Sequence, residues 1–240
     1  MFMLTTIIAL VSVSFVFGSQ EKNIKRSFPI EPGGTLILKT FRGDIEISTY
    51  SGNEVNMEAI IYAEERTEAD KMTIETEAGR NSVIISTPPT ASSIQADIDY
   101  YLKVPGNLDT LQLSTLNGEI KLKGTYNRLD LTTLNGDIDV SGEFIGGSII
   151  STNGDIEISL KGALSGDISV RSTNGSIEMT VKPGSDFTVE AGTVSGSIRS
   201  EFDTTITASL AGSQLKGTID KGTYKVSITT VTGDIRLQKR

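Results

Sequence analysis

One short pattern recurs along the chain and constrains its fold more than any other feature. In each copy, Ser or Thr stands three residues before a glycine and Ile stands two residues after it, and four copies have Asn immediately before the glycine. The copies are TFRGDIEI (40–47), TLNGEIKL (115–122), TLNGDIDV (133–140), STNGDIEI (151–158), STNGSIEM (172–179), TVSGSIRS (193–200) and TVTGDIRL (230–237). A fold for this chain must place these seven segments in equivalent positions.

Each copy predicts two strands joined by a corner. Glycine tolerates positive φ without steric penalty and Asn is the next most tolerant residue, so Asn-Gly is typical of a sharp turn. After the glycine, apolar residues such as Ile120 and Leu122 alternate with polar ones, and Leu111 and Leu113 alternate in the same way before it. This period of two indicates strands with one buried face.

The spacing of the copies distinguishes between two all-β architectures. Asn-Gly between alternating stripes is also a strong hairpin signal, which would give an antiparallel meander or barrel. However, the glycines at 118, 136, 154, 175 and 196 are 18, 18, 21 and 21 residues apart, and every copy runs in the same direction. Stacking such copies about 4.8 Å apart aligns identical side chains into ladders. We therefore predict a right-handed parallel β-solenoid with coils of about 18–21 residues.

The solenoid interpretation assigns structural roles to two columns of the repeat. Asn and glycine residues form a turn and ladder column at the corner, and isoleucines form a ladder in the core. An exposed Asn row at a corner can alternatively present amides to a sugar or peptide. The corner column comprises Gly43, Asn117, Gly118, Asn135, Gly136, Asn153, Gly154, Asn174, Gly175, Gly196 and Gly233. The core column comprises Ile45, Ile120, Ile138, Ile156, Ile177, Ile198 and Ile235.

The N-terminal residues 1–18 are predicted to be a signal peptide. Residues 4–17 are apolar and uncharged, and they are shorter than the roughly 20 residues that span a membrane. Val16 and Gly18 are small enough for a cleavage site, so we expect cleavage after Gly18. The alternative is that this segment is a buried N-terminal strand.

The remaining chain divides into residues 19–110 and residues 111–240. The first part is less regular, with a segment at 62–72 suited to a short helix or loop and an alternating strand ending at Pro105. We predict that it is an irregular, β-rich cap continuous with the solenoid, which occupies 111–240. The step of 37 residues from Gly196 to Gly233 predicts one coil with a degraded corner at Gly217 and a bare strand edge at the C-terminus.

The repeat, the preceding DYYLKVP strand and the apparent signal peptide together resemble the DUF4097 family of bacterial envelope proteins. The resemblance covers roughly residues 35–237. It implies a β-solenoid fold and a role as an adhesin. It brings no catalytic motif with it.

Composition removes several function classes. The chain has no His and no Cys, which excludes Ser-His-Asp and Cys-His catalysis. Its net charge of −8 disfavours nucleic acid and anionic membrane surfaces as partners. Outward carboxylates such as Asp137 and Asp139 resemble a glycosidase pair, but any solvated strand face shows the same alternation.

Metal binding is a further alternative. The position after the glycine carries an acid in five copies, and a row of oxygens can hold Ca²⁺. Ser176 and Ser197 interrupt that row, and acids also favour turns because they are well solvated. We predict no catalytic residue, no metal site and no cofactor.

These observations predict a non-enzymatic, exported, adhesin-like binding scaffold of the cell envelope or cell surface. Its partner would be an unknown envelope protein or polysaccharide, without nucleic acid and without an integral membrane span after signal cleavage. Its location would be the periplasm, the cell surface or the extracellular space. Two alternatives stay open: a periplasmic envelope-stress component acting through a protein partner, and a polysaccharide-modifying β-helix enzyme.

Overall fold

The computed structural model describes residues 10–12, 20–88, 96–209 and 212–240, which form twenty strands and one short helix. The helix is α1 (Arg66–Ala69), at the place where the sequence suggests a short helix or a loop. The strands are β1 (Leu10–Ser12), β2 (Gln20–Pro29), β3 (Thr35–Lys39), β4 (Ile45–Tyr50), β5 (Glu54–Ala63), β6 (Glu75–Ala78), β7 (Ser82–Ser86), β8 (Ala96–Pro105), β9 (Thr110–Asn117), β10 (Ile120–Asn135), β11 (Ile138–Asn153), β12 (Ile156–Leu160), β13 (Ile168–Arg171), β14 (Ile177–Val181), β15 (Phe187–Ser195), β16 (Ile198–Ser200), β17 (Thr205–Ser209), β18 (Gly212–Ile219), β19 (Tyr224–Thr232) and β20 (Ile235–Lys239).

Two long series of paired strands meet at the corners. Sheet I runs in the order β1, β2, β5, β8, β4, β10, β11, β12, β14, β20 and β16. Sheet II runs in the order β6, β7, β3, β9, β10, β11, β13, β19, β15, β18 and β17. The 16-residue strands β10 and β11 belong to both series, because each contributes its first part to sheet I and its last part to sheet II. The repeated coils pair in parallel, as a solenoid requires, so the all-β, solenoid-like prediction is confirmed.

The core consists of the alternate side chains that the strands direct inward, and its central column is a run of isoleucines. In spatial order, Ile45, Ile120, Ile138, Ile156, Ile177, Ile235 and Ile198 are directly paired, and none is more than 7% exposed. Tyr100 stands next to Ile45 in the same row and is fully buried. Burial raises the pKa of Tyr100 to about 12, and its phenol is hydrogen-bonded to the hydroxyl of Thr87.

The coils do not stack in chain order. The last two strands, β19 and β20, lie between the coil of β13 and β14 and the coil of β15 and β16. Between β16 and β19, the chain forms a hairpin of β17 and β18. In it, β18 runs antiparallel to β15 and places Gly217 opposite Val189. The predicted corner at Gly217 is therefore wrong. The predicted bare C-terminal edge is also wrong, because β20 has a paired strand on each side.

Strand pairing is continuous across residue 110. Within the region expected to be a cap, β3 and β4 already form one coil, paired in parallel with β9 and β10. The antiparallel strands β8, β5 and β2 extend sheet I beyond that coil, and the β6–β7 pair extends sheet II. The chain thus builds one stack in which the irregular strands lie at the end of sheet I and sheet II.

Most of the expected signal peptide lies outside the described residues. Of residues 1–18, the structure describes Leu10–Ser12, which pair antiparallel with Asn23–Lys25 of β2. That pairing is what the alternative of an N-terminal strand predicts for these three residues. Across the described ranges, no helix is both long and apolar enough to cross a membrane.

Candidate functional site

The corner glycines are required by the close approach of neighbouring coils. A Cβ atom built on Gly118, Gly136, Gly154 or Gly175 would lie 2.0 Å from the carbonyl oxygen of the corner residue in the next coil. A Cβ atom on the other corner glycines would also lie too close to a backbone carbonyl oxygen, at 2.0 Å for Gly43, 2.1 Å for Gly196 and 2.2 Å for Gly233. Positive φ, which the sequence suggests as the reason, applies to Gly43 at +109°, Gly136 at +155°, Gly196 at +157° and Gly233 at +146°, but it is absent at Gly118, Gly154 and Gly175.

The Ser or Thr three residues before each glycine forms a hydroxyl ladder. These side chains are buried, and six of the seven donate a hydrogen bond to the glycine carbonyl of the neighbouring coil, whereas Thr40 donates to the carbonyl of Arg42. The distances are 3.4 Å for Thr115 to Gly43, 3.2 Å for Thr133 to Gly118, 3.0 Å for Ser151 to Gly136, 3.1 Å for Ser172 to Gly154, 2.9 Å for Thr230 to Gly175 and 2.9 Å for Thr193 to Gly233. Ser213 of β18 donates to the last carbonyl, that of Gly196, at 3.3 Å. A residue with both a small side chain and a hydroxyl is therefore needed at this position.

The asparagines form an amide ladder on the outside of the corner. The Nδ2 atom of Asn135 donates to Oδ1 of Asn117 at 2.7 Å, and Asn153 and Asn174 each donate to the preceding Asn at 2.8 Å. Each inner amide thus gives and receives one bond within the row. The ladder uses these polar groups internally and leaves fewer of them for a ligand.

The acids after the glycines accept hydrogen bonds from the backbone of the next coil. Oδ1 of Asp137 accepts from the N–H of Asp155 at 2.7 Å, and Oδ1 of Asp155 accepts from Ser176 at 2.7 Å. Asp44 and Asp234 accept in the same way from Glu119 and Ser197. These carboxylates therefore cap strands, and no group of three or more Asp or Glu side chains in the described ranges is arranged to hold a metal ion.

The pKa values of Asp234, which belongs to this row, and of Asp99, which lies beside Asp44 on β8, are shifted in opposite directions. Hydrogen bonds from the N–H and hydroxyl of Ser197 hold the pKa of Asp234 below its usual value. Burial raises the pKa of Asp99, although the N–H of Asp44 donates to its carboxylate at 2.8 Å. The difference follows from the balance of two effects: the hydrogen bonds to the carboxylate outweigh desolvation at Asp234, whereas desolvation outweighs the hydrogen bond at Asp99.

A row of exposed apolar side chains runs along the corner, beside the amide ladder. We call it the corner ridge. It is formed by the residue two before each glycine, which in spatial order gives Phe41, Leu116, Leu134, Thr152, Thr173, Val231 and Val194. Phe41, Leu134, Val231 and Val194 are 37%, 39%, 48% and 62% exposed. They are four of the seven large exposed hydrophobic residues among those described, so the exposure is concentrated in one column.

A second surface feature is a concavity on the outer face of sheet I at its irregular end. We call it the cap groove. Its volume is about 640 Å³, and it lies over β2, β5, β8 and β4. Tyr101 is its most prominent side chain, with 39% of its surface exposed. Burial and the neighbouring carboxylates, chiefly Asp99 and Glu46, raise the pKa of this tyrosine, so its phenol is neutral at physiological pH.

Sequence reasoning places the Asn, Gly and Ile columns at the corner and in the core but misses these two surfaces. Both leave the same signal, which is a large apolar or aromatic residue in the outward phase of a strand. In TLNG the Thr is buried, so the following Leu must point outward. In DYYL the first Tyr is buried and the second is therefore exposed.

The fold and the corner ladders define an all-β protein of stacked, solenoid-like coils. The chain belongs to the family of Toastrack DUF4097 proteins, whose model matches residues 14–238. This match confirms the resemblance noted from the sequence.

Solved structures with a related arrangement have low sequence identity. A candidate cell adhesion protein from Clostridium sporogenes is 13% identical with a TM-score of 0.47, over 90% of this chain and 99% of that one. A candidate adhesin from Bacteroides fragilis is 16% identical with a TM-score of 0.44, over 90% and 97%. A candidate lipid binding protein from Parabacteroides distasonis is 14% identical with a TM-score of 0.40, over 90% and 96%. No curated protein matches the chain.

Proposed function

We propose that this protein is an exported, non-enzymatic binding scaffold of the bacterial cell envelope or surface, of the adhesin type. The corner ridge carries the proposal. Soluble proteins rarely expose several large apolar side chains close together unless these side chains contact a partner. Here four large hydrophobic residues, each more than a third exposed, share one column of the repeat.

The geometry of the ridge suits a long partner. Seven positions at about 4.8 Å per coil make a row about 30 Å long. The backbone beneath is fixed by the hydroxyl and amide ladders, so binding would order few protein groups and lose little entropy. Each contact is weak, and affinity would come from their number along an extended polymer or protein strand.

Several finer features belong to the same proposal. The winding is right-handed, with 18 to 21 residues between stacked Asn residues. Residues 1–18 are a signal peptide removed after Gly18, 19–110 form the cap region and 111–240 the regular coils. The protein acts without catalysis, in the periplasm, at the cell surface or outside the cell.

The test compares a ridge variant with a matched control. In the ridge variant, Phe41, Leu134, Val194 and Val231 are all replaced by Thr, which already occupies this column at 152 and 173. In the control, four outward residues of sheet I, Lys121, Glu157, Glu178 and Arg236, are replaced by Thr, which leaves the net charge unchanged. Both variants should keep the wild-type melting temperature within a few degrees.

We expect the ridge variant to bind the isolated envelope fraction of the source cells at least tenfold more weakly than wild type, while the control binds normally. Equal binding by the ridge variant would overturn the proposal. Protease treatment of intact and opened cells then locates the protein. Digestion on intact cells supports adhesion, whereas protection until the envelope is opened favours an internal envelope-stress component.

A polysaccharide-modifying enzyme is the competing proposal of a different class. Its test is release of reducing ends from envelope polysaccharide by the purified protein. Turnover that disappears when Asp137 and Asp139 are replaced by Asn would establish that class and remove the scaffold.

A further inference from the structure

The cap groove presents its outward side chains as a regular grid across four strands. One row consists of Lys25, Glu58, Tyr101 and Glu46, which are paired in register from β2 to β5, β8 and β4. All four line the groove. The aromatic ring therefore lies between two carboxylates on neighbouring strands.

The second row lies two residues further along the same strands. It consists of Ser27, Asn56, Lys103 and Ser48, which also line the groove. This row supplies hydroxyl, amide and ammonium groups. The Asn56 amide donates to the phenol of Tyr50 at 2.8 Å, and its Oδ1 accepts from Ser27 at 2.7 Å, so these groups are held in place.

The charges of the groove balance. Two lysines, Lys25 and Lys103, oppose two acids, Glu46 and Glu58. Arg26 also borders the groove, but its guanidinium donates to the carbonyl of Ile74 and the hydroxyl of Thr76, which do not line it. A polyanion would meet the two carboxylates and a polycation the two ammonium groups, so the charge pattern favours a neutral ligand.

Four of the eight side chains in the grid have hydrogen-bond or ion-pair partners, and the other four are available to a ligand. Glu58 is held by Asn23 and by Lys25, whose ammonium lies 3.0 Å from its carboxylate. In the described part of the chain, the side chains of Glu46, Ser48, Tyr101 and Lys103 have no hydrogen-bond or ion-pair partner. An acceptor, a donor and one hydroxyl thus lie beside one exposed aromatic ring, which carries a phenolic hydroxyl of its own.

We propose that the cap groove binds a neutral saccharide chain, with one sugar ring packed on the face of Tyr101. Sugar hydroxyls donate to Glu46 and accept from Lys103, which requires the mixed and balanced polar groups found here. The apolar face of a sugar ring is suited to an aromatic platform. A groove of about 640 Å³ has the size of small-ligand sites, which are commonly 300–1,000 Å³.

This inference rests on the proposed envelope-binding function, and it names a ligand class on a surface separate from the corner ridge. The probes are the tetrasaccharides of β-1,4-linked glucose and of β-1,4-linked N-acetylglucosamine, with tetragalacturonate as the anionic comparison. Binding is measured by isothermal titration calorimetry with the full chain. We expect one of the neutral tetrasaccharides to bind and tetragalacturonate to bind at least tenfold more weakly.

The variants identify the groove as the site. Tyr101→Ala should weaken binding at least tenfold, and Glu46→Gln or Lys103→Gln about threefold. Tyr62→Ala is the matched control, because Tyr62 is a partly exposed tyrosine of the same sheet that lines a different concavity. All these residues point outward, so unchanged melting temperatures should accompany the changes in affinity.

Three results would overturn the proposal: neither neutral tetrasaccharide binds at about 10 mM, a concentration that nearly saturates even a millimolar site, Tyr101→Ala binds like wild type, or tetragalacturonate binds best. The ridge variant distinguishes failure of the saccharide proposal from failure of the proposed envelope-binding function. If the ridge variant loses envelope binding while no tetrasaccharide binds, the saccharide proposal fails and the scaffold stands. If the tetrasaccharide binds and the ridge variant retains full envelope binding, the ridge proposal fails and the groove stands.

Discussion

Gly154 offers a direct test of the close approach between coils. Its backbone does not have positive φ, so replacement by Ala introduces no strain of that kind. The new Cβ would lie 2.0 Å from the carbonyl oxygen and 2.5 Å from the carbonyl carbon of Gly136. Both neighbours are backbone atoms, and the two coils must therefore move apart at this corner.

Three of the hydrogen bonds that join the two coils lie directly at the gap that would open. The N–H of Gly136 donates to Asn153 at 3.0 Å, that of Asp155 donates to the Asp137 carboxylate at 2.7 Å, and Ser151 donates to Gly136 at 3.0 Å. Each such bond stabilises the folded state by about 1 kcal/mol net. Gly154→Ala should therefore lower the free energy of unfolding by about 3 kcal/mol.

Gly192→Ala is the control, because its added Cβ meets only one atom, the carbonyl oxygen of Ser213 at 3.9 Å. Removing a glycine that the strand does not need should leave stability unchanged or raise it by up to about 1 kcal/mol. Urea unfolding followed by circular dichroism measures both variants. If Gly154→Ala unfolds within about 0.5 kcal/mol of wild type, the close-approach explanation of the corner glycines is wrong.

Three further predictions concern the hydroxyl ladder and two aspartates that accept hydrogen bonds from the backbone of the next coil or strand. Thr133→Val should destabilise the fold by about 1–2 kcal/mol in urea unfolding, because the carbonyl of Gly118 loses a buried donor, and Thr133→Ser should restore most of that loss. Burial gives Asp99 a higher pKa in the folded than in the unfolded chain, so its ionisation weakens folding as pH rises. Asp99→Asn should therefore be more stable than wild type at pH 7 but not below about pH 4. Asp234 has the opposite shift, so its carboxylate stabilises the fold above about pH 4 and that contribution is lost on acidification. Asp234→Asn should accordingly lower stability at pH 7, and the reverse result for either Asn variant would contradict the assigned cause.

The repeat is readable from sequence because a stacked coil places the same demands on the same column each time. The identity of the residues at the corner and the alternation around it were sufficient to predict an all-β, solenoid-like stack. The order of the coils was not predictable in this way. Every copy has the same frame, so the segment at 230–237 fits equally well above the copy at 172–179 and above the copy at 193–200.

The chemical roles of the corner residues can be predicted only in part from the sequence. The sequence shows that Ser or Thr is required, but the partner of the hydroxyl is a carbonyl 15 to 72 residues away and depends on the stacking distance. The corner ridge and the cap groove were in principle detectable, since both break the rule that outward positions are polar. Their extent was not, because Val231 precedes Val194 along the ridge but follows it in the sequence.

The insertion of β19 and β20 between two earlier coils has a consequence for how the chain reaches its final state. The C-terminal strand contacts a coil 58 residues earlier, as the bond from Asp234 to Ser176 illustrates. A solenoid in chain order can grow one coil at a time as it leaves the ribosome, but here residues 187–200 lack their inner neighbour until β19 and β20 pair with them. The stack at this coil can therefore close only after residues 224–239 have been synthesised.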